Sequence, residues 1–301
     1  MQAKKSLGLA QRSLKRSLGQ NFLRNKAILK KIADFAQIGK EDTVVEVGPG
    51  EGTLTEFLLE RANKVVAIEK DGRMVEFLKE KFSKEIKKGK LEIKRGDVLE
   101  LPDDFFSVFF EEKSAKPEKK SSGSDKNGYI LIGNIPYYIT GALFKKALES
   151  ENPPRSITFV VQKEVAQRII ARDEKESILS ISIKAYGEPQ YGGIIKAGSF
   201  NPKPKVDSAI IAIRNINKER FTPTLAVGVP VANNGRQLEK RFFEILKAGF
   251  AHKRKLLVGN LGELGNKEKI KKIFEKCGIS EKTRAENLKV EDWFAITKEL
   301  T

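Results

Sequence analysis

The chain has 301 residues, a formal net charge of +17, one Cys and one His. A single cysteine excludes an intramolecular disulfide, and with a single histidine it leaves no ligand set for zinc and little material for a Ser-His-Asp or Cys-His centre. The positive excess attracts polyanions, nucleic acid first, although many lysines alternate with glutamate as on an ordinary solvated face.

No apolar run is long enough for a membrane span, and Met1 to Gly19 lacks the continuous apolar core of a secretory signal. Residues 1–19 are basic and read as a flexible arm. Gln20-Asn21-Phe22-Leu23 breaks this composition, and a helical pattern follows through Ile28, Leu29, Ile32, Phe35 and Ala36. Thr43 to Val47 is a strand that runs into Gly48-Pro49-Gly50-Glu51-Gly52 and a helix from Thr53. Lys64 to Glu69 is a second strand, followed by a helix carrying Met74, Val75, Phe77 and Leu78. Leu91 to Lys94 is a third, ending in Gly96-Asp97. This alternation predicts an α/β fold, a mostly parallel sheet with right-handed crossovers and helices on both faces.

Glu111 to Gly128 is rich in Lys, Ser and Glu and reads as an exposed insertion. Tyr129 to Ile132 is a fourth strand, expected to end at Gly133 and to deliver Asn134 to the carboxyl edge of the sheet. Ser156 to Gln162 is a fifth strand, with a helix from Lys163 to about Ala171. Ser177 to Tyr186, ambiguous by pattern, is read as helix. Pro189 to Ala197 and Ala209 to Arg214 close the sheet around a rigid basic loop, Phe200 to Ser208. The domain organisation expected is a ligand-binding domain over 20–214, a linker over 215–237 with its Pro, Asn and Gly, and a small all-helical domain over 238–301. Cys277, among Ile273, Phe274 and Ile279, reads as buried packing.

The chemistry gathers at strand ends. Glu46-x-Gly48-x-Gly50 permits tight turning and close approach of a ligand to the backbone, and no phosphate-binding Lys-Ser/Thr follows, which excludes a P-loop. Glu69 is placed to accept from a ribose diol, and Asp97 from an adenine amine. Each residue alone also fits a solvated or capping strand end; their order suits an adenosine-bearing cofactor. In Gly133-Asn134-Ile135-Pro136-Tyr137-Tyr138-Ile139 an amide, a proline and a ring follow one another. A strand-to-helix turn capped by Asn134 and a ligand site are both open readings of this stretch.

Several of these motifs, in order, resemble the ribosomal RNA adenine dimethyltransferases: Gln20-Asn21-Phe22-Leu23, Glu46-Val47-Gly48-Pro49-Gly50, Gly96-Asp97-Val98, Gly133-Asn134-Ile135-Pro136-Tyr137 and Phe200-x-Pro202-x-Pro204-Lys205-Val206-x-Ser208. Phe250 to Leu257 and Arg284 to Leu288 extend the likeness to the C-terminus, with Phe250 to Leu257 closer to the small-subunit branch. Two departures stand out: Arg24-Asn25 where the family usually has Asp soon after Gln-Asn-Phe-Leu, and a longer charged insertion.

The resemblance implies a class I methyltransferase, Rossmann-like, that binds S-adenosylmethionine. Asn21 and Leu23 pack beside the cofactor; Gly48 meets its methionine end, Glu69 its ribose and Asp97 its adenine; Gly50 also belongs to the cofactor site, and Asn134 lies near the methyl donor. The expected reaction is dimethylation of the N6 amine of adenosines, two of them adjacent, in small-subunit rRNA. The substrate is an immature small ribosomal subunit and the enzyme a cytoplasmic monomer without a metal. The Asn134 side-chain oxygen and the carbonyl of Ile135 or Pro136 accept the amine hydrogens, Pro136 fixes the carbonyls, Tyr137 stacks on the base and Phe200 covers its other face. Tyr138 is read as packing. Lys203, Lys205, Lys253, Arg254 and Lys255 meet RNA, the last three from the helical domain. Rival expectations are a large-subunit rRNA methylase of the resistance branch, a non-catalytic RNA-binding assembly factor on the same fold, and a small-molecule methyltransferase, which the charge disfavours.

Overall fold

The computed structural model describes residues 21–102, 105, 128–222 and 234–301. The 1–19 arm, the insertion up to residue 127 and residues 223–233 of the expected linker lie outside the described residues. Contacts divide the chain into two compact units, Met1–Ala166 with Gln190–Ile216, and Gln167–Pro189 with Asn217–Thr301.

In the first unit, Asn25 starts helix α1 (Lys26–Phe35), its side chain accepting the Ile28 N–H at 3.2 Å. Apolar residues at helical spacing turn Leu29, Ile32 and Ala33 inward. Strands β2 (Thr43–Val47), β3 (Lys64–Glu69) and β5 (Tyr129–Asn134) are runs of Val, Ile and Leu buried almost throughout, as expected of strands covered on both faces. With β4 (Leu91–Arg95), β6 (Ser156–Gln162), β7 (Glu188–Ile195) and β9 (Ser208–Arg214) they form a seven-stranded sheet in the order β4-β3-β2-β5-β6-β9-β7. The β4-β3-β2-β5-β6 pairs are parallel, and β9 runs antiparallel to β6. From β2 the chain proceeds outward through β3 and β4, then returns to β5 on the other side of β2. The switch point therefore lies at the carboxyl ends of β2 and β5, where open α/β sheets bind ligands.

The expected strands and the helix at 177–186 are present, with small shifts at their ends. Helix α2 (Thr53–Arg61) follows the glycine turn, α3 (Gly72–Lys81) and α4 (Ser83–Lys87) lie between β3 and β4, α5 (Thr140–Glu149) follows a 3-10 turn at Tyr137–Ile139, and α6 spans Lys163–Ile169. β5 includes Asn134, one residue beyond the expected end. Two further strands, β1 (Phe22–Leu23) and β8 (Phe200–Asn201), pair antiparallel, Phe22 opposite Asn201 and Leu23 opposite Phe200. Pattern could not reveal them, because two-residue strands carry no periodicity. Leu23 and Phe200 enter the same buried cluster as Leu29, Leu54, Leu58, Ile130 and Ile210.

The second unit is built on aromatic packing. Helix α7 (Ile178–Lys184) is capped by Ser177 and leads to Tyr186, whose ring lies 5.2 Å from Phe221 and 6.0 Å from Phe243. Phe242 stacks on Phe294 at 4.5 Å. Phe242 and Phe243 come from helix α8 (Asn234–Gly249), Phe294 from α11 (Val290–Leu300) and Phe221 from the 3-10 turn Glu219–Phe221; α9 (Leu257–Leu261) and α10 (Lys267–Lys276) complete the unit. Cys277 caps the end of α10 and is half-buried, not fully enclosed as expected.

Candidate active site

The turn after β2 is made of left-handed backbone: Gly48, Gly50 and Gly52 have φ of 66°, 55° and 71°. The Gly48 N–H donates to the Ile68 carbonyl at 2.9 Å, tying the turn to β3. A side chain at Gly48 would meet nothing within 4 Å, so its backbone faces open space; one at Gly50 would come within 2.7 Å of the Phe22 ring.

Glu69, at the end of β3, accepts from two backbone groups: Gly50 N–H at 3.1 Å and Asp71 N–H at 2.8 Å. Burial raises its carboxyl above the usual carboxylate range, opposed by these two N–H groups. The buried Glu46 is pushed up to about 8 by burial, opposed by the Thr55 hydroxyl that donates to it at 2.6 Å, with the charge of Glu69 adding to the rise. Beyond β4, partial burial acts to raise the Asp97 carboxyl. The Lys70 ammonium at 2.6 Å and the Leu99 N–H at 2.9 Å outweigh it and hold Asp97 below the usual range.

Asn134 closes the opposite side. Its Nδ2 donates to the Asn21 carbonyl at 2.8 Å. The Asn21–Leu23 segment is thereby a strap, also held by the Thr53 hydroxyl, which donates to the Leu23 carbonyl at 2.9 Å. Pro136 precedes the 3-10 turn, and its carbonyl accepts the Ile139 N–H at 3.2 Å. The Tyr137 hydroxyl sits 2.7 Å from Ser208 Oγ; burial raises its pKa and that hydrogen bond opposes the rise.

One cleft, of ≈ 1020 Å³ out to its open mouth, is lined by strap, glycine turn and strand ends together. Asn21, Leu23, Gly48, Gly50, Glu69, Asp97, Asn134, Pro136 and Tyr137 all line it. Phe200 does not: it is 5 % exposed in the β1–β8 ladder, where it supports Leu23. Tyr138 corrects the reading of that residue as packing: it lines the cleft and is 66 % exposed, because the 3-10 turn buries Ile139 and leaves its neighbour outside. Lys203 and Lys205 are exposed on the loop after β8, and Lys253, Arg254 and Lys255 are exposed in the turn between α8 and α9.

Sequence reasoning gave no role to Thr53, Lys70 or Ser208, whose partners Leu23, Asp97 and Tyr137 are distant in the chain, nor to Thr55, which donates to Glu46 in the preceding strand. Nor did it select Arg24 and Glu51, joined by two hydrogen bonds of 2.6 and 2.9 Å. The departure at Arg24-Asn25 was the available signal. Asn25 caps α1 and Arg24 binds the glycine turn. Among the described residues no group of three or more His, Cys, Asp or Glu could hold a metal ion.

The cleft's donor and acceptor set fits an adenosine-bearing cofactor: an open backbone turn at Gly48, and carboxylates at the ends of β3 and β4. Comparison with known proteins agrees with the fold. The profile described as ribosomal RNA adenine dimethylase matches residues 11–301. Ribosomal RNA small subunit methyltransferase A of Fusobacterium nucleatum is 35% identical over 292 residues, covering 94% of this chain and 96% of that one. Its namesake in Bacillus cereus is 36% identical over 295 residues, covering 96% and 91%. The crystal structure of a dimethyladenosine transferase from Plasmodium falciparum superposes with a TM-score of 0.67 at 25% identity, over 91% of this chain and 95% of that one. The 23S rRNA methyltransferase ErmE has the same fold, with a TM-score of 0.67 at 24% identity over 93% of this chain and 99% of that one. With a family profile matched over nearly its whole length and relatives of this similarity, the chain belongs to the ribosomal RNA adenine dimethylase family.

Proposed function

We propose that the protein uses S-adenosylmethionine to dimethylate the N6 amines of adenosines, two of them adjacent, in small-subunit rRNA. The observation that carries this reading is the Asn134 amide: its nitrogen is committed to Asn21, which leaves its oxygen as an acceptor in a cleft that also holds Gly48, Glu69 and Asp97. The names of the two sequence relatives quoted, both ribosomal RNA small subunit methyltransferase A, support the choice of rRNA.

When bound, the cofactor supplies an electrophilic methyl on a sulfonium. Gly48 and Gly50 take its methionine end, Glu69 the ribose through lone pairs left by its two backbone donors, and Asp97 the adenine. The adenine amine of the substrate is a weak nucleophile because its lone pair is delocalised into the ring. Asn134 Oδ1 and the Ile135 carbonyl accept its two hydrogens, which draws the nitrogen toward tetrahedral geometry. Ile135 is assigned rather than Pro136 because the Pro136 carbonyl already accepts from Ile139. Tyr137 stacks on the base, which leaves its own stack to enter the cleft. The methylated amine is acidic enough to lose its proton to water, so no histidine base is called for. Phe200 acts from behind the strap.

Lys203, Lys205, Lys253, Arg254 and Lys255 are assigned to phosphate contacts, with residues 238–301 as the RNA-recognition part. An immature small subunit is the assigned substrate, a monomer the working form and the cytoplasm the location. No helix among the described residues is long and apolar enough to cross a membrane. Labelled S-adenosylmethionine with unmethylated small subunits, followed by primer extension to map the modified adenosines, tests this reading. Label in large-subunit rRNA, or RNA binding without label, would overturn it in favour of the resistance-type enzyme or the assembly factor.

A further inference from the structure

We propose that the Arg24–Glu51 ion pair is a latch that holds the Asn21–Leu23 strap closed over the cofactor cleft, so that both residues position the site without touching what it binds. The proposal rests on the reading of that cleft as the S-adenosylmethionine site.

Glu51 lies in the glycine turn and is 6 % exposed. Arg24 meets it with a two-pronged fork, Nη2 to Oε1 at 2.6 Å and Nε to Oε2 at 2.9 Å. A planar guanidinium matches a carboxylate in this way and fixes direction as well as distance. The turn is itself anchored: the Glu51 carbonyl accepts from Lys81 Nζ at 2.9 Å, from the last residue of α3. Arg24 stands between the strap and Asn25, the cap of α1. The strap residues Asn21, Phe22 and Leu23 all line the cleft, while Arg24 and Glu51 do not. Of the ties on the strap, the one from Asn134 comes from a lining residue, as does the one from Thr53. The ion pair ties it from behind the wall. Phe22 against Gly50 transmits the tie, since their contact leaves no room for even one added carbon.

The test compares the full-length chain with Arg24→Ala, Arg24→Lys and the Arg24→Ala/Glu51→Gln double variant, which strands no charge. Calorimetry with S-adenosylhomocysteine reports the cleft, and amide hydrogen exchange at residues 22–24 in the ligand-free protein reports the strap. Arg24→Ala is expected to weaken binding about tenfold and to speed exchange at the strap while β2 and β5 stay protected. Arg24→Lys keeps the charge without the fork and is expected to lose about threefold. The double variant should be no worse than Arg24→Ala, because the pair acts as one unit. Unchanged binding and strap exchange in folded Arg24→Ala or Arg24→Lys overturn the latch. Equal acceleration of exchange across the whole first unit also overturns it, since the pair is then general stability. A wild-type chain that binds no S-adenosylhomocysteine instead sinks the cofactor reading, and the exchange arm still decides the latch.

Discussion

Asn134 Nδ2 donates to the Asn21 carbonyl across 2.8 Å, a hydrogen bond between residues 113 apart in the chain. It orients an amide whose two ends have opposite hydrogen-bonding character. With one amide N–H bound in this way, the Asn134 oxygen is left to accept from an incoming amine on the proposed reading. Asn134→Ala should therefore leave S-adenosylhomocysteine binding within about threefold of wild type and cut methyl transfer by at least about tenfold, in the range of a lost transition-state hydrogen bond. Incorporation of label into rRNA, measured beside calorimetry, checks this; undiminished turnover removes Asn134 from the mechanism.

Glu69 both shapes the glycine turn and faces the cleft. Glu69→Ala strands the Gly50 and Asp71 N–H groups and, on the proposed reading, removes the acceptor for the ribose. We expect cofactor affinity to fall by about tenfold or more, with a smaller loss for the ribose-free analogue S-methylmethionine, for which calorimetry reports any residual binding. Equal affinity of wild type and variant for S-adenosylhomocysteine rules the ribose role out.

The titration of Glu46 gives a pH signature. Its folded pKa is raised to about 8 from an ordinary 4.5, so the folded state favours the protonated carboxyl. Its contribution to stability is therefore complete below 4.5, declines as pH rises through this window, and is lost above about 8. Urea unfolding at pH 6 and pH 9 should show a loss for wild type that is smaller in Glu46→Gln. Parallel losses in the two proteins contradict the assignment.

Gly133 is required by packing. A Cβ there would lie 2.5 Å from the Val47 carbonyl oxygen, an atom of the neighbouring strand that cannot rotate away. Gly133→Ala should lower unfolding free energy by about 1–3 kcal/mol, as overpacking does. Gly141 provides the control: nothing lies within 4 Å of an added Cβ, and it sits in α5. Gly141→Ala should be neutral or stabilising by up to about 1 kcal/mol. Chemical denaturation distinguishes the pair, and equal effects would contradict the geometry.

The exposed cations predict a salt effect. Each one that meets a phosphate adds about 0.7–0.9 to the slope of log affinity against log salt. Replacing Lys253, Arg254 and Lys255 by Ala should reduce that slope by about 2, read from filter binding of rRNA fragments over a salt series. An unchanged slope would place RNA elsewhere on the protein.

The amino-acid sequence by itself determined the strand ends, because the signals for them are local. Buried runs such as Val44-Val45, Val65-Val66 and Ile130-Leu131-Ile132 are bounded by glycine and acid, and periodicity needs no distant partner to be read. It also carried the motifs that place the chain in its family, and with them most residues that line the cleft. Only the tertiary structure decided how those residues are held. The β1–β8 pairing, the Arg24–Glu51 fork and the Asn134–Asn21 bond each join segments whose separation leaves no periodic trace. It also moved Phe200 behind the strap and Tyr138 out to the mouth of the cleft, since the face a side chain presents depends on which strand or turn packs against it. The grouping of residues 167–189 with the C-terminal helices has the same origin, in the rings that surround Tyr186. Asn134 and Tyr137 show both parts: local chemistry named them as candidates, and contacts with the distant Asn21 and Ser208 fix how each is held.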